Sequence, residues 1–561
     1  MRLFSALLLK GTFSRRAEEA PCGSTGFFTA DQVKSHMEIS EKRHVSRAAG
    51  TVGFYTLLSR ILGLVRDMVV ARFFGTSMAA DAFFVAFRIP NLLRRLFAEG
   101  SLTIAFIPVF TELLTQKSKQ DAFQLARIVL TLLSCVLTVV TLLGILLSPW
   151  IVRIMAPGFG GSGMKYDLTV LLTRITFPYI FLISILALFM GILNSLRHFA
   201  APAAAPIFLN IGIIGATLWI SPHLQQPIVG VAIGVLIGGI FQVALQVPWI
   251  LKEGISLRPC WMPRHPAVVK IGRLMAPAVF GSAIYQLNQF IGTLLASLLA
   301  PGSIAGLYYA DRLVQFPLGV FAIAISTAVL PFLSKQAAEN DLDSFRETFS
   351  HGLRLVFFMA VPSMVGLILL GRPIIEVFFQ RGIFNALSTA MTTKALFFYS
   401  LGLWAFSGIR VLVAAFYAIQ DAKTPVKVAA VALGANLVFS LLFMRPLELG
   451  GLALALSLAS TLQFCLLVYF FRKRMDILQL KPILIPTGKY LIGSIVMGLG
   501  IYYVDHRLGG LNLENGLRML ILYLAGLILF GAFLYFGVTW ILGCRELRSI
   551  VGIWRSKKPL S

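Results

Sequence analysis

Apolar side chains run through this chain in stretches of about twenty residues, the length of α-helix that crosses the hydrocarbon core of a bilayer. Fourteen such stretches can be drawn, at 48–72, 79–110, 126–152, 168–194, 202–220, 227–250, 273–299, 303–333, 352–370, 391–418, 426–444, 449–471, 483–504 and 517–542. In hydrocarbon the backbone must satisfy its own hydrogen bonds, and a helix does so within one segment. The pattern predicts an all-α polytopic membrane protein with about 14 transmembrane helices.

One part of the pattern breaks the rule that such stretches are uncharged. From Ser59 to Glu99 the chain reads as two apolar helices, yet it carries Arg60, Arg66, Asp67, Asp81, Arg88, Arg94, Arg95 and Glu99. A charge at bilayer depth costs roughly 2.5 to 3.5 kcal/mol on insertion scales, so such residues face a protein interior or a water-filled cavity. These two helices are expected to line a charged cavity, with the rest of the chain as its walls.

The loops between stretches alternate in charge. One set is rich in Lys and Arg, from Lys117 and Lys119 through Arg197, Lys252, Arg258, Arg264, Lys335, Lys423 and Arg472 to the basic tail. The other set is poor, and Ser221–Pro227 and Ala300–Ser303 hold no Lys or Arg. The positive-inside rule then places both termini in the cytoplasm, which an even number of spans permits. The net charge of +25 would otherwise suggest nucleic acid, but the excess lies in these short loops and the tail, so no nucleic-acid partner is expected. A hydrophobic fraction of 57% with only 13% charged residues leaves no polar stretch long enough for a soluble domain. The five cysteines stand singly, at Cys22, Cys135, Cys260, Cys465 and Cys544, without the spacing of a disulfide framework or zinc site. Neither a metal nor a cofactor is expected.

Three proline-centred segments recur at nearly one offset. AFIPVFTELL resembles AVLPFLSKQA (331 − 108 = 223), PWIVRIMAPGF resembles PIIEVFFQRGIF (373 − 149 = 224), and the segment through Pro202 resembles that through Pro425 (425 − 202 = 223). The shift spans six helices, an even number, so both copies insert in one orientation. That is a parallel repeat about an axis along the membrane normal, one of the known transporter plans. The expected organisation is an N-terminal extension at 1–47, two six-helix lobes at 48–270 and 271–480, an added helix pair at 481–545 and a basic cytoplasmic tail at 546–561. Within the extension, Met37 opens a plausible start, which would make the residues before it dispensable.

The charged stretch has an internal geometry. Arg60 and Asp67 are seven residues apart, about 700° of helix, and so lie within about 20° of one face. Arg66 sits about 120° away, and both arginines serve one cavity if it is wide or if the helix bends, for which Gly63 is the natural place. Pro90 removes a backbone hydrogen bond and favours a kink between Arg88 and Arg94. The eighth stretch repeats the theme with Tyr308, Tyr309, Asp311, Arg312 and Pro317. Arginine clusters suit phosphate, because the guanidinium fork binds two oxyanion oxygens at once and stays charged. Asp67, Asp81 and Asp311 could hold those arginines between substrates or exchange protons. The competing reading makes Arg60–Asp67 and Asp311–Arg312 structural ion pairs, and has Arg72 and Arg95 snorkel to an interface.

SRILGLVRD, ADAFFVAFRIPNLLRRLFAEG, YYADRLVQFP and the QDAKTP loop resemble the MurJ/MviN family of lipid II flippases, of the multidrug/oligosaccharidyl-lipid/polysaccharide exporter superfamily. The resemblance covers about residues 48–545. It implies an inner-membrane protein with two lobes and a cationic central cavity, which moves lipid-linked peptidoglycan precursor between leaflets by alternating access. Its partners would be lipid II (an undecaprenyl-diphosphate-linked disaccharide peptide), membrane lipids and the cell-wall synthesis machinery. The family's functional arginines match here at Arg60, Arg66, Arg94 and Arg312. Its cavity acids match at Asp67, Asp81 and Glu99, with Asp311 beside Arg312; Ser59, Gly63, Pro90 and Asn91 belong to the same motifs as supporting residues. Some relatives carry an acid where this chain has Gln315. The last two helices would form a groove for the polyprenyl tail.

Two other classes fit these residues less well. A membrane enzyme acting on such lipids needs a nucleophile, a general base or a metal-binding acidic set. The seven histidines fall in loops, span ends or the extension, and no HExxH, GxSxG or Walker lysine occurs; the expectation is that the chain is not an enzyme. An exporter of the same superfamily acting on another polyprenyl-linked saccharide, or on drugs or cations, is the nearer alternative. A cation pump would want an acidic cavity, and this one is net basic.

Overall fold

The computed structural model describes residues 30–93, 103–475, 481–508 and 516–547, with side chains described outside 30–49, 93, 103–104 and 276–285. Residues 1–29 of the expected extension, Arg94, Arg95 and Glu99, and the tail from 548 lie outside the described residues. Two compact units are distinguished, Met1–Gly53 and Phe54–Ser561. The second holds the helix assembly and the charged stretch.

The regular structure among the described residues is helical. The first helices are α1 Ala30–Phe74, α2 Met78–Leu93, α3 Thr103–Gln116, α4 Lys119–Leu146, α5 Ser148–Met155, α6 Met164–Thr176, α7 Tyr179–Ser195, α8 Ala200–Trp219 and α9 Ile228–Lys252. Then come α10 Pro266–Ser297, α11 Ser303–Pro317, a π turn Leu318–Ala322, α12 Ile323–Ala338, α13 Leu342–Phe378, α14 Ala386–Leu401, α15 Leu403–Ala418, α16 Lys423–Leu447, α17 Leu449–Met475, α18 Lys481–Arg507 and α19 Leu517–Ile541.

Among the described residues ten helical spans are long and apolar enough to cross a membrane, and eleven if the pair α14–α15, bent by 45°, counts as one. Eleven of the fourteen expected stretches fall on these spans; the other three, at 48–72, 79–110 and 273–299, each run partly outside the residues whose side chains are described.

Several features recur at the offset expected of a repeat. Pro202 and Pro425 each stand in the first turn of a helix, α8 and α16. Just before them Arg197 and Gln420 both take positive φ, at 63° and 59°, with 420 − 197 = 223. The next residue in each copy staples its loop to the end of the second helix after it: His198 to Glu253 at the end of α9, at 2.7 Å, and Asp421 to Arg474 in the last turn of α17. The offset is again 421 − 198 = 223, and the acid and base have changed places.

The last two helices pack on α13. Phe358 meets the rings of Tyr490 and Tyr535, and the Tyr535 hydroxyl donates to the Phe358 carbonyl at 2.6 Å. Beyond α19, Glu546 is buried and pairs with Arg354 at 3.2 Å.

Candidate functional site

The charged residues of α1 and α11 meet in one network. Asp67 is 3% exposed and lies between two guanidinium groups. Arg66 donates to its Oδ1 through Nε and Nη2, at 3.0 and 2.7 Å. Arg312 of α11 reaches its Oδ2 through Nε at 3.0 Å. The Tyr308 hydroxyl sits among all three: it donates to Asp67 at 3.2 Å and accepts from Arg66 at 3.0 Å and from Arg312 at 3.0 Å. The Arg312 guanidinium also lies 5.2 Å from the centre of the Tyr308 ring, a cation–π contact. That ring stacks on Phe84 of α2 at 4.0 Å.

A third helix enters through Asn210 of α8. Its Oδ1 accepts from Arg66 Nη1 at 3.2 Å, and its Nδ2 donates to the Ser59 carbonyl at 3.1 Å. Gly63 faces this side chain, and α1 runs unbroken through Gly63. The second arginine is therefore brought in by side-chain reach toward α8 and α11, not by a break in α1.

The expected face-sharing pair, Arg60 and Asp67, is not formed. Arg60 is exposed, and its guanidinium lies where a Cβ on Gly319, in the π turn after α11, would fall. The Arg312 side chain is 37% exposed, whereas Arg66 is buried. Two arginines thus reach open space while the third is locked inside. Asp311 is half-buried beside Gln315, which donates to it, and Arg312 pairs with Asp67 instead of its neighbour. Arg88 donates to the Gln289 carbonyl at 3.4 Å and to Thr293 of α10, Pro90 is buried within α2, and Asn91 is half-buried.

Asp81 stands elsewhere. It is 1% exposed and accepts from the backbone N–H groups of Gly302 and Ala305 at 2.7 and 2.9 Å, so it caps the N-terminus of α11 from across the molecule. Lys165 of α6 neutralises it at 2.9 Å and lies over the Phe159 ring. A carboxylate here meets the positive end of the α11 dipole and two of its unpaired donors.

Around Asp81 the turns of the charge-poor set close on one another. Gly302 packs against the Thr76 carbonyl so tightly that a Cβ could not be placed there. Thr76 and Ser388 hydroxyls are 2.8 Å apart, Ile383 N–H donates to the Arg72 carbonyl at 2.9 Å, and Gly158 N–H donates to Ser297 at 3.1 Å. This end of the helix assembly is shut.

Asn210 joins the network, and Lys165 pairs with Asp81, without a signal in the apolar pattern. Asn210 is a single polar residue within an apolar run and Lys165 stands beside Asp167 at the edge of one, and only a fold that crosses these helices reveals the partner of each. A lysine on the charge-poor side was the one signal that could have drawn notice to Lys165.

The description Lipid II flippase MurJ belongs to the family model that matches residues 70–524. The chain is 38% identical to the probable lipid II flippase MurJ of Vibrio cholerae over 516 residues, covering 91% of this chain and 98% of that protein. It is 37% identical to the lipid II flippase MurJ of Burkholderia cenocepacia over 504 residues, covering 89% and 97%. A solved lipid II flippase MurJ in an inward closed conformation superposes with a TM-score of 0.75 at 28% identity, covering 89% of this chain and 99% of that one. An inward-facing multidrug resistance MATE transporter matches at 0.63 with 16% identity over 74% of this chain and 94% of its own, a likeness of fold alone.

Proposed function

The chain belongs to the lipid II flippase MurJ family, and from that premise we propose that it carries lipid II from the cytoplasmic to the periplasmic leaflet through the Arg60–Arg66–Arg312 site. The observation that carries this reading is the Arg66–Asp67–Arg312 chain of ion pairs, which joins the first and second halves of the sequence and leaves Arg60 and Arg312 open to a ligand. A diphosphate offers two guanidinium forks the planar pairs of oxygens they match. It would compete with Asp67 for Arg312, loosening the contact between the halves as the cargo binds. Asp67 is then a stand-in anion that holds the arginines between cargoes.

Because the charge-poor turns are closed, entry is from the other end, which the loop charges place in the cytoplasm with both termini. Alternating access would move the head across while the polyprenyl tail remains in lipid. The two lobes would be 48–270 and 271–480, the fourteen-helix plan would include the stretches at 48–72, 79–110 and 273–299, and Arg94 and Glu99 would join the cavity. The protein acts as a transporter in the inner membrane and performs no chemistry on its cargo; the cell-wall synthesis machinery would receive the product.

The test is complementation in cells depleted of their own flippase, with expression checked on blots. Arg60→Ala and Arg312→Ala should each abolish growth, and Arg→Lys should fall short at both, since an ammonium cannot engage two phosphate oxygens in one plane. Full growth with alanine at both positions sinks the phosphate-clamp reading.

A further inference from the structure

Arg72 and Arg381 take no part in the Arg66–Asp67–Arg312 network. Along α1, Arg60, Arg66 and Arg72 follow at steps of six residues, about 9 Å of rise each. Arg72 is therefore the outermost of the three, at the end where the charge-poor turns close. Arg381 belongs to the turn between α13 and α14 that packs on it.

The two turns are locked by reciprocal glycines. Gly75 takes φ +55°, and a Cβ there would lie 2.9 Å from the Ile383 carbonyl. Gly382 takes φ +60°, and a Cβ there would strike the Arg72 carbonyl and lie 3.0 Å from Arg72 Cγ. The Ile383 N–H to Arg72 carbonyl bond closes the pair. Backbone packing thus forces two arginines into the same neighbourhood, where like charges repel.

Among the described residues no acid compensates them: neither Arg72 nor Arg381 makes an ion pair, while Arg372 nearby is taken by Glu376 at 2.9 Å. Arg381 donates to the Val377 carbonyl through Nη2, and its buried Nε has no partner. Burial, and then the charge of Arg72, hold the Arg381 guanidinium below its ordinary value. Topology does not account for the pair either, because the positive-inside rule disfavours arginine on this side. A pair of guanidinium groups with an open donor and no carboxylate is a site lacking its anion.

We propose that Arg72 and Arg381 form an exit-side anion site that takes the diphosphate of the lipid cargo as the head leaves the central arginines. The inference rests on lipid II being the cargo. It makes transport a passage between two arginine clusters on one helix, the inner one exchanging its anion with Asp67 and the outer one vacant until the cargo arrives.

The experiment uses the full chain, purified in neutral detergent and in proteoliposomes. Phenylglyoxal labels accessible guanidinium groups, and peptide mass spectrometry reports each arginine. Undecaprenyl diphosphate should protect Arg72 and Arg381 severalfold, and phosphatidylglycerol at equal concentration should not. In proteoliposomes, R72Q/R381Q should lower the flipping rate of labelled lipid II about tenfold. The Thr76→Cys/Ser388→Cys disulfide, placed in both backgrounds, should form to the same yield, since the closing turns remain packed. Equal protection by phosphatidylglycerol, a wild-type rate in the double variant, or loss of the disulfide along with the rate would each overturn the proposal. Wild-type protein that fails to move labelled lipid II would instead overturn the cargo reading on which it stands.

Discussion

Asp81→Asn should unlatch the closed end. The wild-type carboxylate makes three bonds, to Gly302 N–H at 2.7 Å, Ala305 N–H at 2.9 Å and Lys165 Nζ at 2.9 Å, while 1% exposed. Asparagine keeps one carbonyl oxygen for these donors and turns an NH2 toward the others. Removing one member of a buried ion pair costs about 3–5 kcal/mol, because the remaining charge stays buried without a partner. Loss of a helix N-cap adds about 1 kcal/mol. Both penalties fall on the closed state, since opening this end would return Lys165 and the α11 N-terminus to water. Taking about 3 kcal/mol as the low end, the equilibrium shifts toward opening by roughly two orders of magnitude.

The assay is disulfide formation between Thr76→Cys and Ser388→Cys, whose native hydroxyl oxygens are 2.8 Å apart, in a background freed of its five cysteines. The protein that keeps Asp81 should cross-link readily and the Asp81→Asn variant poorly, with a matching loss of transport. Asp81→Glu should recover part of both. If the asparagine variant cross-links and transports like the parent, the carboxylate does not hold this end shut, and the reading of Asp81 as a cavity acid returns.

Asp67→Asn leaves Arg66 buried with only neutral partners and should lower stability by about 3–5 kcal/mol, read as a fall in the thermal midpoint of the purified protein; an unchanged midpoint would show that the ion pairs contribute little. Gly319→Ala puts a methyl group where the Arg60 guanidinium rests, and because that guanidinium ends an exposed, flexible side chain it can swing aside, so transport should fall much less than with Arg60→Ala; a loss as large as that of Arg60→Ala would mean that the resting place of Arg60 against Gly319 is itself required. Burial opposes ionisation of Asp421, but bonds from Thr424, Arg474 and Lys423 N–H outweigh it and hold the carboxyl below its ordinary value. A depressed carboxylate stabilises the fold above the unfolded pKa of about 3.9 and loses that contribution as pH falls through the folded value. The stability gap between wild type and Asp421→Asn should therefore be constant near neutrality and close below about pH 4; a gap independent of pH would remove Asp421 as its source.

The difference between what this sequence discloses and what it withholds follows from the range of the interactions. Span lengths and loop charges are local, and the long apolar helices lie where the pattern places them. The charged stretch likewise announced a site, because arginine and aspartate cannot sit among apolar neighbours at bilayer depth without company. Which partner each takes is not local. Helical spacing favoured Arg60 with Asp67, since residues seven apart share a face. The arginine that pairs is Arg66, adjacent in sequence, whose long side chain folds back on Asp67 while Asn210 and Tyr308 hold its other nitrogens. Asp81 reads in sequence like one more acid of the same cluster, yet its partners are an α11 N-terminus more than two hundred residues away and a lysine between them. A helix N-terminus attracts a carboxylate through backbone groups that every sequence has, so no residue type marks it. On the proposed reading the acids that looked alike on paper divide into two tasks, Asp67 holding arginines that a phosphate would claim and Asp81 holding shut the end through which that phosphate would leave.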